Sequence, residues 1–326
     1  MRLKTRLTQK LGIEHPILLA PMNVIAGGRL AAAVSAAGGL GIIGGGYGDA
    51  AWLEQQFAAA GGARVGCGFI TWSMARDPTL LDQALARQPA ALMLSFGALE
   101  PHASRIKARG VPLICQVQGM AYLREAVAAG ADIIVAEGCE AGGHSGHRGV
   151  FTLVPEAADY LAKHSPDTVL VAAGGVGDGR GLAAALMLGA DGVLVGTRFI
   201  ACPESEAPEG FRQAIIRADG DSTTKSTSVD IARKRYWPNP EFVVRVLKNG
   251  FVAKWHGRDG DMEKAIEVEY QRFRAAFEAG DADNTGVLMG EVSGLIQDAP
   301  PAAQIVEGMI ARACRLLGSH SPHVVR

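Results

Sequence analysis

The chain has 326 residues, 48% of them hydrophobic, enough for one large domain or one with a smaller companion. Its 32 basic and 33 acidic side chains nearly cancel, which argues against a basic nucleic-acid binder and an acidic tail protein. Its five cysteines, Cys67, Cys115, Cys139, Cys202 and Cys314, are odd in number and form no CxxC pair, which argues against a disulfide scaffold or a cysteine-rich zinc site and for a reducing compartment.

The basic start of the chain leads into no apolar run, and no later stretch is long and apolar enough to span a bilayer, so a cytoplasmic protein without a membrane segment is expected. Short apolar runs then alternate with amphipathic stretches. Strands are predicted at 17–20, 40–43, 64–69, 91–95, 112–116, 132–136, 168–172 and 192–195. Helices are predicted between them at 29–37, 50–60, 78–86, 101–108, 121–129, 154–163 and 179–188. Gly38, Gly61, Gly110, Gly130 and Gly189 follow five of these helices, where a C-cap needs positive φ. Eight evenly spaced strands with crossover helices predict an α/β fold, and a closed (β/α)8 barrel is favoured over an open doubly wound sheet.

After Phe199 the strand rhythm is lost. Helices are predicted at 211–217, 240–248 and 262–279, giving a mostly helical second domain inserted after the eighth strand. A last amphipathic helix, 302–317, is expected to return to the barrel. The division is therefore a barrel over 1–202, a helical substrate-side domain over 203–300 and a returning helix over 301–317. The tail from Gly318 reads as disordered.

Residues 39–44 spell GxGxxG, but they lie within and just after a strand preceded by a helix, the wrong context for a dinucleotide fingerprint. Gly174-Gly175 ends the seventh predicted strand and Gly196-Thr197 the eighth. In a barrel these two loops form the usual phosphate site, built from main-chain N–H groups. The loop 137–147 is the most polar and glycine-rich one. In it His144 is the candidate proton acceptor or anion partner. His147 is less certain, and Glu137 and Glu140 either serve a ligand or cap loop N–H groups. No catalytic metal is expected, because the glycine-rich loop is no rigid HxxH helix. Asp281–Gly286 imitates the start of a calcium loop but has Val292 where the glutamate belongs. The basic, aromatic segment 232–237 suits either a pocket rim over an anion or a pyridine nucleotide phosphate, or else a solvated helix face, and the last is favoured.

Taken together, His15-Pro16-Ile17, Ala20-Pro21-Met22, Ala37–Gly41, Glu140–His144, Ala173–Val176 with Asp178-Gly179, and Leu188–Gly192 with Gly196–Phe199 resemble the nitronate monooxygenase family over roughly residues 3–317. The resemblance implies a TIM barrel carrying FMN. It places Ala20, Pro21 and Met22 against the flavin ring, with Gln116, Glu137 and Gly143 near it. Gly174, Gly175, Gly196 and Thr197 become the phosphate clamp and His144 the base or anion partner. Many members carry an asparagine at the third strand end where this chain has Gly68, so either a water or a neighbour such as Thr71 is expected to replace it, or the flavin environment differs. Thr71 and Trp72, with Met22 and His144, are the expected substrate wall.

The activity implied is oxidation of an alkyl nitronate by O2, giving a carbonyl compound and nitrite. The related FMN-dependent enoyl-acyl-carrier-protein and quinone reductases supply the alternative, an NAD(P)H reductase acting on a quinone or enoyl thioester. A flavin-free, sugar-phosphate type barrel is a third class, disfavoured by the few carboxylates at the strand ends. A homodimer is a family-level expectation, and neither nucleic acid nor membrane is an expected partner.

Overall fold

The computed structural model describes residues 2–318, and the rest of the tail predicted to be disordered lies outside them. Eight parallel strands form one sheet: β1 (Ile17–Leu19), β2 (Ile42–Gly46), β3 (Gly66–Ile70), β4 (Leu92–Ser95), β5 (Leu113–Val117), β6 (Ile133–Glu137), β8 (Val169–Ala173) and β9 (Gly192–Val195). Their order is β1-β9-β8-β6-β5-β4-β3-β2, and a bridge from Leu18 to Leu40 brings the last strand back to the first. This is the (β/α)8 barrel expected from eight apolar runs separated by crossover helices. Each predicted strand overlaps an observed one, with ends shifted by up to three residues. The five glycines predicted to cap helices all have positive φ.

The barrel interior is filled by Leu18, Ile42, Met93, Ile114, Ile133, Val135, Val169, Val171 and Leu194. Leu7 and Leu11 of the helix Arg6–Leu11 join this cluster. A Cβ on Gly192, at the start of β9, would stand 2.4 Å from Leu7, so this helix closes the N-terminal end of the barrel. The larger apolar layer lies between the strands and the surrounding helices. There the helix Ala302–Gly318 packs against Gly179–Met187 and Gly28–Ala36. A Cβ at Gly179 would meet Met309 O at 2.4 Å, so only glycine allows that approach.

Beyond β9 the chain forms helices including Glu209–Arg217, Ser228–Ala232, Gly250–Trp255, Asp259–Lys264 and Ile266–Ala279. It also forms β10 (Thr223–Lys225) and β11 (Val243–Leu247). β11 pairs antiparallel with β10 on one side and with β7 (Gly143–Ser145) on the other. The helix predicted over 240–248 is therefore a strand. Its residues Val243-Val244-Arg245-Val246-Leu247 are rich in β-branched side chains, with Val244 and Val246 buried and their neighbours half-buried, the two-residue period of a sheet. Through β7 this small sheet captures the loop that follows β6. No described helix is long and apolar enough to cross a membrane.

Candidate active site

The C-terminal strand ends surround a cavity of about 240 Å³. Ala20, Pro21 and Met22 after β1, Gly68 of β3, Gln116 of β5 and Glu137 of β6 line its barrel side. Gly174 and Gly175 after β8, with Gly196 and Thr197 after β9, form an adjoining wall. Gly143 and His144 of β7 line it too, joined from the inserted region by Arg233 and Trp237. All of these predicted site residues except Thr71 and Trp72 thus face one space.

The glycine wall is made of main chain. Gly174 and Gly175 hold φ of 99° and 70°, a conformation that turns the chain sharply at the end of β8. Among the described residues the N–H groups of Gly175 and Thr197 have no acceptor within the protein. Donors left over in a built wall suit an anionic group such as a phosphate. The Thr197 hydroxyl accepts from Gly290 N–H at 3.0 Å, and Glu291 N–H donates to Glu140 O at 3.0 Å, so the inserted region is fastened to this wall. The Glu140 carboxylate accepts from Val150 N–H at 3.0 Å, capping the helix Val150–His164.

At the end of β6, Gln116 Nε2 and Gln118 Nε2 both donate to Glu137 Oε2, at 2.9 and 3.0 Å. Burial pushes the Glu137 carboxyl up to about 8, against the hydrogen bond from Gln118 and the charge of Lys225.

His144 is buried, and its Nε2 lies 2.7 Å from Asp230 Oδ2. Asp230 stands on the helix Ser228–Ala232, and its other oxygen accepts from Arg233 Nη2 at 2.5 Å. Burial would raise the Asp230 carboxyl, but the hydrogen bond from His144 and the Arg233 charge outweigh it and hold it below the usual carboxylate range. Burial lowers the His144 pKa, with Asp230 pulling the other way. The His144 ring stacks on Trp237 with centroids 3.6 Å apart. Phe96 meets both rings edge-on and holds a positive φ of 58° directly after β4. Trp237 Nε1 donates to the Tyr47 hydroxyl at 3.1 Å.

Thr71 and Trp72, the expected substrate wall, do not line the cavity. Among the described residues the buried Thr71 hydroxyl has no partner, and Trp72 packs behind Tyr47 and Trp237. Nor does Thr71 stand in for the missing asparagine. A Cβ on Gly68 would lie 2.6 Å from the Pro21 ring, so proline occupies that space. The favoured reading of 232–237 as a solvated helix face fails for Arg233 and Trp237. The helix ends at Ala232 and Lys234 takes φ 53°, which turns both side chains to the cavity while Arg235 and Tyr236 stay exposed. His147 is exposed. Sequence reasoning missed Asp230, Tyr47, Phe96 and Gln118. Phe96 and Tyr47 directly follow strands and were within reach of the strand-end rule. Nothing in the spacing links Asp230 to a histidine 86 residues away.

The nitronate monooxygenase family model matches residues 4–64 and 74–312. A nitronate monooxygenase of Pseudomonas aeruginosa is 34% identical, with 94% of this chain and 98% of that protein covered. The (3aS,4S,5R,7aS)-5-hydroxy-7a-methyl-1-oxo-octahydro-1H-indene-4-carboxyl-CoA dehydrogenase of Mycobacterium tuberculosis is 32% identical, with 96% and 97% covered. Among solved structures, FabK from Thermotoga maritima matches with a TM-score of 0.82 and 29% identity, over 97% of this chain and 98% of that one. An eight-stranded barrel with this glycine wall and a family match across nearly its whole length has one reading: the chain belongs to the nitronate monooxygenase family of flavin-dependent oxidoreductases.

Proposed function

We propose that this enzyme binds FMN and oxidises alkyl nitronates with O2 to a carbonyl compound and nitrite. The observation that carries the reading is the buried chain His144–Asp230–Arg233 on an aromatic wall of the cavity. It puts a proton acceptor and a cation beside each other in an otherwise mostly apolar space, which suits a small carbon acid whose conjugate base is an anion.

The Asp230 carboxylate accepts, so His144 carries its proton on Nε2 and leaves Nδ1 with a free lone pair. Among the described residues Nδ1 has no protein partner, and burial keeps the ring neutral at neutral pH. In the proposed mechanism Nδ1 takes the α-proton of a neutral nitroalkane, and the C–H electron pair passes into the nitro group. Asp230 then stabilises the imidazolium. A preformed nitronate skips this step. Arg233 lines the cavity, its Nε–H lacks an acceptor among the described residues, and its charge favours the nitronate anion. Trp237 and Phe96 keep the His144 ring in place, and with Met22 they leave an apolar surface for a short alkyl chain. Gly174, Gly175, Gly196 and Thr197 would hold the cofactor phosphate, and Ala20, Pro21, Met22, Gln116, Glu137 and Gly143 would surround the ring. FMN, when bound, supplies the redox chemistry with substrate and O2.

The test mixes FMN-loaded enzyme with propyl nitronate under air, without NAD(P)H. Oxygen uptake with release of nitrite is expected. Absence of both overturns the proposal.

A second reading, an NAD(P)H-driven reductase acting on a thioester, draws on the M. tuberculosis relative named for a CoA-bound substrate. Arg76 over Trp72 and Arg235 over Tyr47 favour it, since among the described residues neither has an ion-pair partner and both suit an anionic tail near the aromatic wall. Rapid anaerobic bleaching of the flavin by NADH or NADPH, together with no nitrite from nitronates, would select it.

A further inference from the structure

We propose that Glu137 is a neutral carboxylic acid whose proton sits on Oε1, where it serves as a hydrogen-bond donor to the ring of the bound flavin. This rests on the reading that the cavity holds a flavin. The proposal stands first on how the two oxygens are used. Gln116 and Gln118 each donate one amide N–H to Oε2, and among the described residues Oε1 receives none. A carboxylic acid fits that arrangement, with Oε2 as the accepting carbonyl and Oε1 as a hydroxyl whose donor is left for a ligand in the cavity. A carboxylate would turn toward the cavity a charged oxygen that no described protein donor meets.

Among the described residues no cation forms an ion pair with Glu137. Lys225 is the basic group that Glu137 senses, but its ammonium is spent on the carbonyls of Ser145, at 3.2 Å, and Gly146. Arg233 and His144 are engaged by Asp230. Glu140, a like charge on the same loop, is held by Val150 N–H. Burial accordingly carries the Glu137 carboxyl to about 8.

The carbonyl oxygens and unprotonated nitrogens of a flavin are acceptors, and Glu137 lines the cavity beside Gln116. A neutral donor strengthens its bond as the ring gains electrons. A carboxylate in the same place would oppose that gain. His144 handles the substrate proton on the inserted side, so the two groups have separate tasks.

The test is infrared spectroscopy of the FMN-loaded enzyme from pH 6 to 10, wild type against Glu137→Gln, with the flavin visible spectrum recorded on the same samples. The wild type is expected to show a protonated-carboxyl C=O band that persists through neutral pH and fades only at alkaline pH, with a flavin band shift over the same range. E137Q is expected to lack both. Flavin bound with no such band, or an equal flavin shift in E137Q, overturns the inference alone. A protein that binds no flavin overturns the function above and the donor role with it, while the acid band of the flavin-free protein still reports the protonation state. Should E137Q not fold, Gln118→Leu removes a bond that favours the ionised form, so the band midpoint must move to higher pH. An unmoved midpoint overturns the inference.

Discussion

The two sides of the cavity are built by different means. The barrel side offers Ala20, Pro21, Gly174, Gly175, Gly196 and Thr197, small residues that present main chain, with Gln116 and Glu137 as the main polar side chains. The inserted side offers Asp230, Arg233 and Trp237, closing on His144 of a loop that has been drawn into the small sheet. A cofactor phosphate needs only N–H groups at a sharp turn, and several small residues can provide them. Proton transfer needs one ring at one angle, so its supports are large side chains that cross from one region to the other. The proposed division is cofactor on the barrel, substrate chemistry on the insertion.

The severest way to break this division is His144→Ala. Turnover of a neutral nitroalkane is expected to fall by about 10²–10⁴-fold, the range for a lost general base, with a smaller loss on the preformed nitronate. The check is kcat/KM for both substrate forms. Equal losses would make His144 an anion partner instead of a base.

Asp230→Asn sharpens the comparison, because Asp230 acts through His144. A loss of about 10²-fold on the neutral form is expected, since an amide no longer enforces the Nε2–H tautomer. Removing the carboxylate also removes the pull that raises the His144 pKa. The neutral, active imidazole then persists to lower pH, so the acidic limb of the pH–rate profile moves down. An unmoved limb would reduce Asp230 to a packing role.

Trp237→Ala takes away the stacked ring, worth about 0.5–1.5 kcal/mol, or roughly 2–12-fold in kcat/KM on either substrate form. Steady-state kinetics on nitronate, with the flavin content measured alongside, separates lost positioning from lost cofactor. The smallest effect belongs to Thr71→Val. Its hydroxyl is buried without a partner, so trading it for a methyl group should leave kcat/KM within about twofold and thermal stability equal or higher. A large kinetic loss would return Thr71 to the substrate wall.

The same division explains what could be read from the chain. The eight strands are legible because each is a short apolar run, and most end at glycine or polar residues. The Gly174-Gly175 and Gly196-Thr197 turns were legible because their chemistry is local. The segment predicted as a helix over 240–248 is a strand at Val243–Leu247, because the two-residue alternation of Val244 and Val246 spans too few residues to stand out against a helical period. Strand β7 was hidden because Gly143-His144-Ser145 has no strand propensity of its own and pairs only when β11 is present. Arg233 and Trp237 read as surface residues in the sequence, since their inward turn depends on Asp230 and on rings contributed by Tyr47 and Phe96. Long-range convergence leaves no spacing signal in a single sequence.

The most direct test of the division is the visible spectrum of purified His144→Ala beside the wild type, with the cofactor released and identified. The account predicts FMN, one per chain, in both proteins, because the proposed clamp lies on the barrel side. A wild type without flavin, a wild type carrying a different flavin, or an H144A protein that no longer retains FMN would contradict it.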